Sequence, residues 1–92
     1  MADIRAHLEI SGLVQGVYFR YSTSEEAVGL GVTGWVRNLP NGNVEAVIEG
    51  EEAKVEQMIK WCRRGPVPAR VDKVEVKRLP ATGEFSAFKI TY

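Results

Sequence analysis

Ninety-two residues leave room for one small domain, residues 1–92, and no second core. A composition 45% hydrophobic and 26% charged is that of an ordinary globular fold, and the longest apolar runs are far too short to cross a membrane. Twelve basic residues balance twelve acidic ones, which excludes the basic footprint of a non-specific nucleic-acid binder.

The first residues, Met1-Ala2-Asp3-Ile4-Arg5, lack the charged-then-apolar order of a signal peptide. The single cysteine, Cys62, cannot form an internal disulfide, and no Cys/His cluster suggests zinc. The expectation is a cytoplasmic chain without metal or cofactor, with no nucleic-acid or membrane partner, and monomeric. Ile4, Ala6, Leu8 and Ile10 alternate with Arg5, His7, Glu9 and Ser11, predicting a strand with one buried face. His7, the only histidine, falls on the polar face and reads as a solvated strand residue rather than a general base.

The next stretch, Val14-Gln15-Gly16-Val17-Tyr18-Phe19-Arg20, organises the rest. Gly12 and Gly16 permit a tight connection, and a helix-like run, Tyr21 to Leu30, follows it. A loop before a helix N-terminus presents several N–H groups in one direction, reinforced by the positive end of the helix dipole. Arg20 adds a planar fork of donors suited to phosphate or carboxylate oxygens, so a bound oxyanion is the first functional reading. The segment matches neither the P-loop nor the dinucleotide fingerprint. The position where some phosphatases carry a nucleophilic cysteine is Val14, so water is the expected acceptor of any transferred phosphoryl group.

Ser22-Thr23-Ser24-Glu25 contains a capping box that would start the helix at Ser22, whereas the anion-site reading prefers Phe19 or Arg20. Ala27, Val28 and Leu30 are expected to face the core, with Gly29 and Gly31 closing the helix. Thr33 to Leu39 reads as a strand, Pro40-Asn41-Gly42-Asn43 as a turn, and Val44 to Glu49 as the returning strand of a hairpin. Asn38, just before the turn, reads equally well as a turn-capping amide.

Gly50 is expected to open a second helix, with Glu51 and Glu52 in its first turn. Val55, Met58, Ile59 and Cys62 form a buried stripe, which makes Cys62 an inert core thiol. Arg63 and Arg64 complement the helix C-terminus and Gly65 ends it. After the connector Pro66-Val67-Pro68-Ala69, residues Val71, Val74 and Val76 mark a strand, and Phe88, Ile90 and Tyr92 alternate in a short last one. The order predicts an α+β, ferredoxin-like split βαβ sandwich: βαββαβ plus a short C-terminal strand, with two helices on one face of a mostly antiparallel sheet. That fold hosts enzymes, RNA binders and metal carriers, so it leaves function open.

Two blocks, Gly12-Leu13-Val14-Gln15-Gly16-Val17-Tyr18-Phe19-Arg20 and Gly34-Trp35-Val36-Arg37-Asn38-Leu39-Pro40-Asn41-Gly42, resemble the two motifs of the acylphosphatase family. Their spacing and the element order agree as well, so the resemblance covers nearly the whole chain. It implies hydrolysis of the mixed anhydride between a carboxylic acid and phosphate. It also implies that the backbone of Gln15, Gly16, Val17, Tyr18 and Phe19, with Arg20, holds the phosphoryl group, and that Asn38 orients the attacking water. The substrate implied is a small-molecule acyl phosphate. A non-catalytic phosphate- or acyl-phosphate-binding regulator on the same fold is the alternative. A single-stranded RNA binder would need a basic face that the zero net charge denies it.

Overall fold

The computed structural model describes residues 2–92. Strand β1 (Asp3–Leu13) leads into helix α1 (Phe19–Leu30), strands β2 (Thr33–Asn38) and β3 (Val44–Glu51), helix α2 (Glu52–Arg64), and strands β4 (Arg70–Pro80) and β5 (Phe88–Ile90). The sheet order is β4-β1-β3-β2-β5, antiparallel throughout except that β5 lies parallel to β2. This is the expected ferredoxin-like arrangement with its added edge strand.

Side-chain alternation places Ala6, Leu8 and Ile10 of β1 fully buried beside Val36, Val44, Ala46 and Ile48 of the hairpin. Helix α2 covers β1, β3 and β4, and α1 covers β2 and β5 while touching α2. The α2 stripe falls as expected: Val55, Met58, Ile59 and Cys62 are all buried. Full burial of such an apolar side chain contributes about 1.5–3 kcal/mol. Burial pushes the Cys62 thiol up to about 12, with the Glu26 charge adding to the shift, so it is an inert thiol.

Three expectations change. Gly50 does not open α2: it pairs with Ile4 and Glu51 pairs with Asp3, so β3 runs on and the helix starts at Glu52. The ladder with β1 satisfies these backbone groups, and a local helix-start signal cannot compete with it. Val28 is 68% exposed, and the inward stripe of α1 is Phe19, Thr23 and Ala27, one residue per turn along the i, i+4 row. Of the two starts left open for helix α1, the structure takes Phe19, with Tyr18 as N-cap, so Ser22 is a helical residue and the capping box is unused. Gly29 is likewise helical, and Gly31 alone caps the C-terminus, where its N–H donates to Val28 and that of Val32 to Ala27.

The face away from the helices is polar and cross-linked. His7 Nε2 sits 2.7 Å from Glu45 Oε2, and Arg37 Nε donates to the other oxygen of that carboxylate at 2.6 Å. His7 is therefore a cross-strand partner rather than a merely solvated residue.

Glu49, 4% exposed, anchors the loop between β4 and β5. Its carboxylate accepts from the backbone N–H groups of Thr82 (3.1 Å) and Gly83 (3.0 Å), from the Thr82 hydroxyl and from Arg5 Nε (2.6 Å). Burial pushes this carboxyl up, but the four hydrogen bonds outweigh it and hold it below its ordinary value of 4.5. A depressed folded-state pKa stabilises the fold above the unfolded value, and that contribution is lost as pH falls through the folded one. Glu49→Gln is therefore expected to lower the unfolding free energy at neutral pH, with the difference from the parent shrinking as pH drops below about 4.5. Urea unfolding across that range checks it, and a pH-independent difference would show that Glu49's charge contributes nothing.

Candidate active site

The loop between β1 and α1 is hung from the core at both ends. Val14 is 1% and Phe19 2% exposed, and the Phe19 ring lies tilted against Trp61 of α2, with centroids 5.8 Å apart. The ladder with β4 shifts register between Ser11 and Gly12, a bulge that bends the strand just before it leaves the sheet after Leu13. Gly12 has φ +128°, and a Cβ there would stand 2.1 Å from the Arg70 carbonyl oxygen, so no other residue fits. Gly16 (φ +74°) and Tyr18 (φ 60°) then turn the chain into the helix.

Among the described residues, no backbone carbonyl accepts from the N–H groups of Gln15, Gly16, Val17 or Tyr18. Unpaired amides in a turn that enters a helix are the raw material of an anion cradle. The first turn of α1 holds no acidic residue to neutralise its dipole. Arg20 is half-buried there, its guanidinium 4.9 Å above the Tyr92 ring. None of the ion pairs among the described residues involves it. Its charge is thus held over an aromatic face, without an ion-pair partner among the described residues.

Asn38 ends β2, half-buried. The turn that follows is closed by Leu39 N–H to Asn43 O at 2.8 Å and by Asn43 N–H to the side-chain oxygen of Asn41 at 3.0 Å. The amide that caps the turn is therefore Asn41's, and Asn38 lines a cleft of about 440 Å³ together with Gly16, Tyr18, Phe19 and Arg20. The volume lies in the range of ordinary small-molecule sites. Arg20 and Asn38, distant in sequence, are brought to one cleft beside the loop.

The sequence reading took only the backbone of Gln15. Its side-chain Nε2 donates to the carbonyls of both Leu39 and Asn43, each at 2.8 Å, and so ties the loop to the β2–β3 turn. From the other side, Asn43 Nδ2 donates to Glu9 of β1 at 2.6 Å. The strand end carrying Asn38 is held by these bonds against the loop that leads into Arg20. Neither Gln15's brace nor the stacking of Tyr92 on Arg20 has a local signature, because each joins segments far apart in the chain.

The cleft lining contains Val14, Ile90 and three tyrosines but no carboxylate, histidine or thiol. Such an arrangement can bind and orient an anion and a water, and it offers no carboxyl, imidazole or thiol side chain as nucleophile or strong acid.

Comparison with known proteins points the same way. The family model described as Acylphosphatase matches residues 6–90. The acylphosphatase of Pelotomaculum thermopropionicum is 51% identical over the full length of both chains. The solved structure of an acylphosphatase from Coxiella burnetii superposes with a TM-score of 0.92 at 36% identity, covering 98% of this chain and 94% of that one. The acylphosphatase crystal structure from Bacillus subtilis gives 0.93 at 29% identity, over 97% and 99%. With its two motif blocks folded around one cleft and the match running nearly end to end, this chain belongs to the acylphosphatase family.

Proposed function

We propose that the chain hydrolyses the carboxyl–phosphate bond of small acyl phosphates to a carboxylate and inorganic phosphate, by direct attack of water in the cleft. The observation that carries this reading is the meeting of Arg20, Asn38 and the 15–19 loop around one cleft. In this reading, Arg20 and the N–H groups of Gln15, Gly16, Val17, Tyr18 and Phe19 hold the phosphoryl oxygens, and Asn38 orients the water. Phosphoryl transfer spreads charge over the equatorial oxygens, so positioning and electrostatics supply most of the rate.

The substrate class follows from what the lining lacks. A carboxylate leaving group has a conjugate-acid pKa of about 4 to 5 and departs without a proton. An alkyl or aryl phosphate monoester, with a more basic leaving group, forgoes the roughly 10²- to 10⁴-fold that a general acid contributes. Acetyl or benzoyl phosphate is expected to be hydrolysed at least about 10²-fold faster than an aryl phosphate monoester under identical conditions. Comparable rates would overturn the assignment. Tight binding of both without turnover would instead make the protein a phosphate-binding regulator.

The reading needs no metal or cofactor. Supporting it, no group of three or more His, Cys, Asp or Glu among the described residues is arranged to hold a metal ion. It also treats residues 1–92 as one catalytic unit, working as a monomer in the cytoplasm. The long edge strand β4 carries Lys73, Glu75 and Lys77, charges that discourage edge-to-edge pairing. The lone thiol, Cys62, is free and buried and needs no oxidising compartment.

A further inference from the structure

Tyr18 is the one non-glycine with positive φ among the described residues, at φ 60° and ψ 24°. A bulky aromatic residue in the left-handed region is strained, and glycine or asparagine would sit there at lower cost. It is also the N-cap of α1, where no side-chain hydrogen bond to the helix is made. Its side chain gains nothing from the core, because the residue is 77% exposed. Strain kept at a functional loop without a packing reward points to a use of the side chain.

The cleft shows what that use is. Three tyrosines stand at its mouth, and two are otherwise engaged. Tyr92 lies under the Arg20 guanidinium, and the Tyr21 hydroxyl faces Glu25, whose carboxylate holds the phenol above its ordinary range. Among the described residues no aromatic or cation–π partner takes the Tyr18 ring. We infer that Tyr18 is the acyl-group contact, and that its ring selects acyl phosphates with a flat apolar acyl group, such as an aromatic one.

The inference rests on the acyl-phosphate reading above. A phosphoryl group held by the loop amides lies beside Tyr18's own N–H, and the acyl substituent is only three bonds from phosphorus. The substituent must therefore leave the cradle within reach of the side chain at that same position. With Arg20 and no side-chain carboxylate in the lining, the cleft's charge disfavours a cationic acyl group, while Val14 and Ile90 continue the apolar surface. Offset stacking of an aryl ring on an exposed tyrosine is a modest effect, worth about 3- to 10-fold in discrimination.

The test is a ratio: kcat/KM for benzoyl phosphate divided by kcat/KM for acetyl phosphate. It cancels any damage to the phosphoryl cradle that both substrates feel alike. Tyr18→Asn keeps a residue that tolerates the left-handed backbone and removes the ring, so the ratio is expected to fall about 3- to 10-fold. Tyr18→Phe keeps the ring and should keep the parental ratio. A ratio unchanged in Tyr18→Asn, with both substrates still turned over, overturns the role of Tyr18 and leaves the hydrolase reading standing. A parent that turns over neither substrate removes both.

Discussion

Arg20→Ala is expected to lose at least about 10³-fold in kcat/KM for an acyl phosphate, the lower range for an arginine that stabilises charge in phosphoryl transfer. It should also weaken competitive inhibition by inorganic phosphate by about 10- to 100-fold, because charge-assisted hydrogen bonds to the bound anion are lost in the ground state as well. The guanidinium has no ion-pair partner among the described residues and rests on the Tyr92 ring, so its removal strands no buried carboxylate. The loop keeps its own supports, the buried Val14 and Phe19 and the Gln15 bonds to Leu39 and Asn43. The variant should therefore remain folded, with a melting temperature near the parent's. Arg20→Lys separates charge from geometry: a point charge cannot reproduce the fork, so it should recover phosphate binding better than turnover. Parental turnover in folded Arg20→Ala would mean that the cleft is not where phosphate is held.

Asn38→Ala is expected to lower kcat by on the order of 10²-fold or more, the usual loss when a donor aimed at the reacting centre is removed. Phosphate inhibition should stay within a few-fold of the parent, the pattern of an interaction made mainly in the transition state. The contrast with Arg20 is the content of the prediction: one residue acts on phosphate throughout, the other on water. Sequence alone left room for the objection that Asn38 holds the turn. The Asn41 side chain and the Leu39–Asn43 backbone bond already hold it, so the stability change should be small. A folded Asn38→Ala with parental kcat would assign the water to another group. A variant that unfolds would show that Asn38 supports the strand end more than these bonds suggest.

The two predictions share one structural dependence. Arg20 sits in the first turn of α1 and Asn38 at the end of β2, and Gln15 spans the gap by donating to carbonyls on either side of the turn. Both hydrogens of its amide are used in that span, so a residue read for its backbone carries a second task through its side chain.

Much of this protein was legible from local pattern. Alternation in Ile4 to Ser11 placed β1, the Pro40–Asn43 turn placed the hairpin, and the stripe from Val55 to Cys62 placed the buried face of α2. Each is a short-range signal whose physical cause, side-chain periodicity or turn chemistry, lies within the segment itself. The two motif blocks named the family for the same reason: they are contiguous in the chain. What tertiary structure decided was everything requiring a distant partner. Gly50 became strand because Ile4 pairs with it, against a local signal to open the helix. Helix α1 began at Phe19, whose ring is buried against Trp61, and not at the capping box that opens at Ser22. Val28 faces solvent because the sheet covers the row of Phe19, Thr23 and Ala27. The strain at Tyr18, the brace from Gln15 and the ring beneath Arg20 are likewise products of chain segments meeting in space, which no pattern within one segment encodes.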